Sequence, residues 1–259
     1  MMKVVLLCGG KGTRIREETE NRPKPMIKIG EKPILWHIMN SYSFYGFNDF
    51  ILCTGYKADV IREYFFNYAM HNSDFTMNLK SGECEFYGRG QSPDWRVTLV
   101  DTGENTMTGG RVKRIERYIE DDNFFLTYGD GVTDLNIKRT LEFHQSHGKI
   151  GTVIGVAPPS QYGVLHIEKN HVLSFHEKPE IHQGNINGGY FVFSKKIFKY
   201  LSDDENCILE RTPLEKLAQD RELCVYNHPG FWQCMDTYRD YLFLQELWKS
   251  GKAPWNSDI

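Results

Sequence analysis

Short apolar runs, bounded by glycine, aspartate or asparagine, recur along the first three quarters of the chain. Their length and their β-branched and aromatic content are typical of strands that are buried on both faces. The runs cover residues 4–8, 50–54, 97–100, 124–128, 151–157 and 190–193. This pattern predicts a central sheet with other layers packed on both sides.

Segments with helical periodicity lie between several of these runs. Pro33 is placed as a first-turn proline of a helix that stops at Gly46, and residues 58–68 and 136–147 repeat the pattern, the latter before Gly148. Strands that alternate with helices in this order predict right-handed crossovers and a largely parallel sheet.

The second half of the chain has a different pattern. Residues 164–168 and 172–176 flank Lys169-Asn170-His171 like the arms of a hairpin, and residues 238–248 have helical spacing before Gly251. No repeat, low-complexity tract or linker separates the two halves. We therefore predict one α/β domain over residues 1–259: a mostly parallel, Rossmann-like central sheet with a small antiparallel insertion.

Charge excludes some classes of partner. The 259 residues include 31 basic and 34 acidic side chains, which gives a formal net charge of −3. A near-neutral chain of this kind favours neither a surface that binds nucleic acid nor a basic patch that binds membranes. Any phosphate must therefore be held by a local site.

The cysteines and apolar stretches bear on the cellular compartment. The six cysteines include no C-x-x-C pair, so neither a zinc ribbon nor a dithiol motif is expected, and Cys8 and Cys53 are expected to be buried free thiols. The first apolar run is too short for a signal peptide, and no stretch approaches the ~20 residues of a membrane span. A reducing cytoplasm is the expected compartment.

The strongest chemical signal is the turn after the first predicted strand, Cys8-Gly9-Gly10-Lys11-Gly12-Thr13-Arg14. Glycines allow backbone N–H groups to approach a phosphate closely, and the neighbouring cations and hydroxyl add further donors. The dinucleotide fingerprint fails because Ile15 stands where its third glycine is required, and the P-loop pattern is absent. A turn that only reverses the chain is the alternative.

Lys24 lies between Pro23 and Pro25, which predicts a stiff, extended segment. Such a backbone lowers the entropy lost when a long side chain is held against a charge. A solvated surface lysine is the alternative.

Two aspartates are candidates for a cation site. Asp130 follows a predicted buried strand between two glycines, at the strand end where open α/β sheets bind ligands. Asp236 could supply a second carboxylate, although its place before a predicted helix also suits an N-cap. Asp134 is expected to cap the helix that follows it. A nucleotide-bound Mg²⁺ needs only one or two protein carboxylates.

Other polar motifs have simpler alternatives. Glu177-Lys178 ends the predicted hairpin, where one side chain could reach a site or both could form an exposed charged pair, and Asn187-Gly188-Gly189 ordinarily indicates a hairpin turn. His144 and His147 share a helix face without a third ligand, so a solvated helix end is expected rather than zinc.

The glycine loop, followed by Pro23-Lys24-Pro25, closely resembles the sugar-1-phosphate nucleotidylyltransferases, whose loop reads GGxGTR and whose later lysine lies in a P-K-P-M/L context. Cys8 replaces the loop's common alanine and Lys11 occupies its variable position, without loss of a needed donor. Further motifs follow in the family's order over nearly the whole chain: Tyr128-Gly-Asp-Gly131, Gln161-Tyr-Gly163, residues 175–179, Asn187-Gly-Gly-Tyr190 and Asp236.

This resemblance implies roles for specific residues. A nucleotide site is expected at Leu7, Cys8, Gly9, Gly10, Lys11, Gly12, Thr13, Arg14, Lys24, Thr102, Gly103, Thr106, Gly110, Arg111 and Gly129. A sugar-phosphate site is expected at Tyr162, Gly163, Glu177, Lys178, Asn187 and Gly188. Arg14, Lys24 and Asp130 are the expected catalytic residues, with Mg²⁺ on Asp130 and Asp236.

Within the family, the chain is most similar to members that transfer CMP from CTP to α-D-glucose 1-phosphate, in residues 32–39, in 101–103 with 106–111, and in 228–232 with 235–237. The resemblance implies CDP-glucose as the product, as a precursor of O-antigen deoxysugars, and a homo-oligomer. It also implies that residues 1–135 mainly bind the nucleotide and residues 136–259 the sugar and the oligomer partner. Another nucleotide or hexose, a non-catalytic nucleotide-sugar sensor, and an oxidoreductase are the alternatives.

Overall fold

The computed structural model describes residues 2–12, 15, 19–88, 92–157, 164–168, 171–176 and 185–256. Its fifteen strands within these ranges are β1 Lys3–Leu7, β2 Lys28–Ile29, β3 Lys32–Pro33, β4 Asp49–Thr54, β5 Asp74–Met77, β6 Cys84–Tyr87, β7 Arg96–Asp101, β8 Asn123–Tyr128, β9 Gly131–Thr133, β10 Gly151–Val156, β11 Val164–Glu168, β12 His171–His176, β13 Ile186–Ser194, β14 Leu223–His228 and β15 Trp232–Cys234. The helices are α1 Ile34–Phe44, α2 Ala58–Phe66, α3 Tyr68–Asn72, α4 Thr108–Arg114, α5 Ile137–His147, α6 Thr212–Gln219 and α7 Tyr238–Lys249, with short 3-10 turns at Lys24–Met26, Glu116–Tyr118 and Lys195–Tyr200.

Seven strands form the central sheet, in the order β14-β10-β13-β8-β1-β4-β7. Strands β8, β1, β4 and β7 are parallel to one another, as are β10 and β14. Strand β13 runs antiparallel to both of its neighbours, β8 and β10. The predicted mostly parallel α/β sheet is confirmed, and so is the antiparallel insertion, since β11 pairs with β12.

The sheet is buried on both faces, as the continuous apolar runs predict. Val4 and Leu6 pack into one hydrophobic cluster with α1, while Val5 and Leu7 pack into the cluster on the other face. Alternate residues of a strand point to opposite faces, so both faces of β1 must be apolar. Cys8 and Cys53 are buried free thiols, as expected.

Several element boundaries differ from the prediction. Pro33 is the N-cap of α1 rather than a first-turn residue. The predicted helix over 58–68 ends at Phe66, and Asn67 separates it from α3. Asn187, Gly188 and Gly189 belong to β13 and not to a hairpin turn, and the pairing with β10 is irregular beside them. The bulge accommodates Gly189 at a φ of 76°.

The two histidines of α5 are not a solvated helix end, which corrects the prediction. His144 is 2% exposed and hydrogen-bonds to Thr152 Oγ1 at 2.9 Å and to Asn123 Oδ1 at 3.2 Å. His147 Nε2 contacts the same Thr152 hydroxyl at 2.8 Å. The pair therefore belongs to a polar network, buried at His144 and half-buried at His147, that joins α5 to the sheet.

Asp134 does not cap α5, contrary to expectation. Asn136 caps it, because its side chain accepts a hydrogen bond from the backbone N–H of Arg139 at 3.0 Å. Asp134 instead lies 2.9 Å from His228 Nε2. In the part of the chain described here, no helix is both long and apolar enough to cross a membrane.

Candidate nucleotide and metal site

A cavity of about 420 Å³ opens at the carboxyl ends of β1 and β8. This is the edge of the sheet where α/β proteins bind ligands. The lining residues are Leu7, Cys8, Gly9, Gly10, Lys11, Gly12, Lys24, Pro25, Thr106, Met107, Thr108, Arg111, Tyr128, Gly129, Asp130 and Asp236.

The glycine loop forms one wall of this cavity. The first residue of the loop still pairs with the sheet, because Cys8 N–H donates to the carbonyl of Cys53 at 3.0 Å. Gly12 has a φ of 60°, a conformation that glycine adopts without steric cost. Thr13 and Arg14, with their expected phosphate contacts, lie outside the described residues.

Lys24 lies between the two predicted metal-binding carboxylates. Its Nζ donates to Asp130 Oδ2 and to Asp236 Oδ1, each at 2.6 Å. The lysine side chain is only 10% exposed, whereas the aspartates are 28% and 34% exposed. A surface lysine is therefore excluded, although the local backbone is a short 3-10 turn after extended Pro23 and not a fully extended segment.

The two carboxylates keep Lys24 charged. Burial is the largest single effect and would lower the pKa of the lysine, but the charges and hydrogen bonds of Asp130 and Asp236 together outweigh it and raise the pKa above its ordinary value. Lys24 is thus a fixed cation at neutral pH. That is the state needed to neutralise a phosphate.

Asp236 does not have the capping role that its position allowed. Thr237 caps α7: its hydroxyl accepts from Asp240 N–H at 3.2 Å, while Asp240 Oδ2 accepts from Thr237 N–H at 2.7 Å. The same Asp240 oxygen accepts from Asp236 N–H at 3.1 Å. This capping box orients the Asp236 backbone and leaves its carboxylate to face Lys24.

A short antiparallel ladder brings the two aspartates together. Asp130 immediately precedes β9, and Asp236 follows β15 by two residues. The strands pair with Gly131 opposite Cys234, and Met235 N–H donates to the Asp130 carbonyl at 2.8 Å. The ladder brings together two residues that are 106 positions apart in the chain and fixes both carboxylates at one end of the cavity.

The carboxylates fit the donor set of a nucleotide-bound Mg²⁺. Because each oxygen lies 2.6 Å from the same nitrogen atom, Asp130 Oδ2 and Asp236 Oδ1 are no more than about 5 Å apart. Mg²⁺ takes oxygen ligands and usually binds one or two carboxylates together with phosphates and water. Among the residues described, no group of three or more His, Cys, Asp or Glu side chains forms a complete metal cage.

Arg111 lies behind the glycine loop. It is 4% exposed, and its guanidinium donates to the carbonyls of Gly9, Thr54 and Gly103 at 3.0, 3.1 and 2.7 Å. An added Cβ at Gly9 would lie only 2.1 Å from the Arg111 guanidinium, so this position requires glycine. Arg111 thus joins the ends of β1, β4 and β7 and places a buried positive charge against the cavity.

Three predicted nucleotide residues, Thr102, Gly103 and Gly110, do not line the cavity. Thr102 Oγ1 donates to the Thr54 carbonyl at 2.7 Å and accepts from Arg111 at 2.8 Å, which occupies the hydroxyl. Thr106 does line the cavity, and its hydroxyl accepts from Arg114 at 2.8 Å. Contact between these residues and a nucleotide stays a prediction.

The structure brings Pro25, Met107, Thr108 and Tyr128 to the cavity in addition to the predicted residues. Tyr128 begins the Tyr-Gly-Asp-Gly motif, whose glycines and aspartate alone drew attention in the sequence. Met107 and Thr108 directly follow the predicted residue Thr106, and this position was the only feature of the sequence that could have indicated their place at the cavity. Their side chains have no distinctive chemistry in sequence.

On the expected sugar side, Asn187 and Gly188 lie on β13 next to the end of β8. Trp232 Nε1–H donates to the Gly188 carbonyl at 2.7 Å, and Asn187 Oδ1 accepts from Gly189 N–H at 2.8 Å. The other expected sugar-phosphate residues, Tyr162, Gly163, Glu177 and Lys178, lie outside the described residues.

A mostly parallel sheet with a glycine loop, a buried lysine and two carboxylates at its carboxyl edge is the arrangement with which α/β enzymes bind phosphorylated ligands. A family model described as nucleotidyl transferase matches residues 3–242. The chain therefore belongs to the nucleotidyl transferase family, which confirms the resemblance seen in its motifs.

Individual relatives are similar over the whole length. Glucose-1-phosphate cytidylyltransferase of Salmonella typhi is 51% identical over 257 residues, which cover 99% of both chains. Probable glucose-1-phosphate cytidylyltransferase of Bacillus subtilis (strain 168) is 45% identical over 254 residues, 98% of this chain and 99% of that one. A crystal structure of HddC from Yersinia pseudotuberculosis complexed with GMP-PN has a TM-score of 0.68 at 26% identity and covers 96% of this chain and 100% of that chain.

Proposed function

We propose that this chain transfers CMP from CTP to α-D-glucose 1-phosphate, with CDP-glucose and pyrophosphate as products. The observation that carries the transfer chemistry is the convergence of Lys24, Asp130 and Asp236 beside the glycine loop. The choice of CTP and glucose 1-phosphate is supported by the relatives of that name at 51% and 45% identity. A non-catalytic sensor is disfavoured because both carboxylates are present.

The reaction is a direct displacement. A phosphate oxygen of glucose 1-phosphate attacks the α-phosphorus of CTP in line, the bond to the β-phosphate oxygen breaks, and pyrophosphate leaves. The nucleophile is already anionic, so no general base is needed, and alignment and charge neutralisation supply the rate enhancement. No covalent enzyme intermediate is formed.

Each cationic residue has a proposed place along this path. Backbone N–H groups of Gly9–Gly12, with Lys11 and Arg14, hold the β- and γ-phosphates, and Lys24 holds the α-phosphate. Lys178 binds the phosphate of the incoming sugar. Mg²⁺, when bound on Asp130 and Asp236, supplies Lewis acidity and a template for the phosphates.

The remaining site residues divide between the two substrates. We assign glucose hydroxyls to Glu177, Asn187 and the backbone of Gly188, with Tyr162 and Gly163 beside them. Backbone groups around Thr102, Gly103 and Gly110 are assigned to the cytosine, whose N4 amino group is a donor that uracil lacks. On this scheme residues 1–135 mainly bind the nucleotide, and residues 136–259 the sugar and the oligomer partner.

The biological setting follows from the product. CDP-glucose is a precursor of CDP-deoxysugars, and we propose O-antigen synthesis as its use. We propose the cytoplasm as the compartment, where the six free cysteines would stay reduced. A homo-oligomer is proposed from the family resemblance.

The deciding experiment is pyrophosphate release with glucose 1-phosphate and Mg²⁺, with CTP, UTP, dTTP and ATP compared side by side. We expect release with CTP alone. Release with a different nucleotide would keep the mechanism and overturn the base assignment. Release with none would contradict the proposal and favour another sugar phosphate or a sensor.

A further inference from the structure

Glu210 is not among the predicted site residues, yet its carboxylate joins two residues that line the cavity, Tyr128 and Thr108. Glu210 lies in the loop before α6. Its Oε1 accepts a hydrogen bond from the Tyr128 hydroxyl, and its Oε2 accepts one from the Thr108 hydroxyl at 2.6 Å. Leu209 N–H donates to the same Thr108 hydroxyl at 2.9 Å. Tyr128 and Thr108 both line the cavity, whereas Glu210 does not.

Tyr128 carries this connection onward to β13. The Phe191 ring of β13 meets the Tyr128 ring edge-on, with ring centroids 6.1 Å apart. The Tyr128 ring also packs tightly on β13: an added Cβ at Gly189 would lie 2.4 Å from Tyr128 Cδ2. The contacts therefore run from β13 through the Tyr128 ring and hydroxyl to Glu210, and Thr108 joins Glu210 from the other side.

In the hydrogen bond between Tyr128 and Glu210, the phenol is the donor and the carboxylate the acceptor. Burial, followed by the charge and hydrogen bond of Glu210, raises the pKa of Tyr128 far above its ordinary value, so the phenol stays protonated and donates. A hydrogen bond to an ionised acceptor is stronger than a neutral one. Two hydroxyls that share one carboxylate are held at a defined separation.

We propose that Glu210 is a positioning residue, which acts through Tyr128 and Thr108 to set the distance between the nucleotide wall of the cavity and the hexose-binding residues on β13. The assignment of the two walls rests on the proposed function. In-line transfer requires the two phosphates to approach within a near-attack geometry, and a displacement of about 1 Å can cost on the order of 100-fold in rate. Glu210 would thus affect turnover without contact with either substrate.

The test is a double-variant cycle on the full chain. Glu210→Ala is expected to lower kcat by about 10-fold to 100-fold with less than about a threefold change in KM for the nucleotide. Tyr128→Phe should have a similar effect, and the double variant should be no worse than the stronger single variant, because both remove one connection. Glu210→Gln, which keeps one acceptor oxygen and the side-chain shape, should restore part of the rate.

The control is Glu215→Ala, which removes an exposed carboxylate on the neighbouring helix α6 and should leave kcat unchanged. Additive losses in the double variant, or a fall in kcat no greater than that of the control, would overturn the role of Glu210. A crystal structure of Glu210→Ala tests the connection without substrate: a displaced Tyr128 ring supports it and an unmoved ring contradicts it. A wild-type chain that releases no pyrophosphate contradicts only the proposed function.

Discussion

The Nζ atom of Lys24 lies 2.6 Å from Oδ2 of Asp130, although 105 residues separate them in the chain. The lysine makes an equally short contact with Asp236. One cation thus compensates two half-buried carboxylates that would otherwise repel each other. The same three groups are the ones that a Mg²⁺-bound nucleotide would engage, so the charge balance of the fold and the proposed chemistry depend on the same atoms.

Replacement of Lys24 should remove a phosphate-binding charge. We expect Lys24→Met to lower kcat by about 100-fold to 1000-fold, the size of effect found when one donor to a developing charge is deleted. The measurement is steady-state pyrophosphate release. Lys28→Met, four residues further on and exposed, is the matched control and should be near wild type. Near-normal turnover of Lys24→Met would contradict the assigned role.

Loss of either carboxylate should change the metal requirement. Asp130→Asn and Asp236→Asn are each expected to lower kcat by at least about 100-fold at fixed Mg²⁺ and to raise the Mg²⁺ concentration needed for half-maximal rate, since each removes a hard anionic ligand. Rates measured over a Mg²⁺ titration test this. Asp134→Asn changes an aspartate that pairs with His228 instead, and its Mg²⁺ dependence should match wild type. Equal Mg²⁺ curves for all three variants would contradict the assignment.

Arg111 should be sensitive even to a conservative change. Lysine keeps the positive charge but has only three N–H donors, whereas the Arg111 guanidinium makes five hydrogen bonds, so Arg111→Lys would lose at least two of them. We expect a loss of about 2–4 kcal/mol in the free energy of unfolding. Urea unfolding measures it. Arg117→Lys, at an exposed position, should change stability by less than about 0.5 kcal/mol, and an equal effect of the two variants would refute this account of Arg111.

Stability should fall in mild acid because of the histidine network. Burial, with a smaller effect of His147, lowers the pKa of His144 from 6.5 to about 4. A folded-state pKa below the unfolded value means that the contribution is full above about pH 6.5 and is lost as pH falls towards 4. A shift of this size corresponds to a loss on the order of 3 kcal/mol.

Unfolding free energies between pH 7.5 and 4 test this loss in the His144→Gln variant. The variant should be less stable than wild type at neutral pH but should lose less stability on acidification, because the buried titrating group is gone. His71→Gln, at an exposed position, should follow the wild-type curve. Parallel curves for wild type and His144→Gln would show that His144 is not the responsible group.

Local sequence patterns predicted most of the central sheet. Strands such as β1 and β4 are short, continuous apolar runs, because burial on both faces leaves no polar alternation, and that signal is visible without tertiary information. The glycine loop and Lys24 were likewise recognisable, because glycine widens and proline narrows the range of backbone conformations through their own covalent structure. The hairpin of β5 and β6 was not predicted, since every residue of β5 is exposed and β6 alternates only between half-buried and exposed residues, which leaves no continuous apolar run.

Sequence alone could not decide which polar side chains face one another. Asp236 suited both a cap and a metal ligand, and only the Thr237 and Asp240 capping box assigned the cap to Thr237. His144 was expected in solvent, yet packing places it against Thr152. Hydrogen bonds between distant residues depend on how strands and helices are brought together, and local propensity carries no information about that arrangement. The sequence therefore determined most strands of the central sheet, the glycine-loop motif and the family, while the tertiary structure decided the partners of Lys24, Arg111 and Glu210, because directional contacts exist only once the chain is folded.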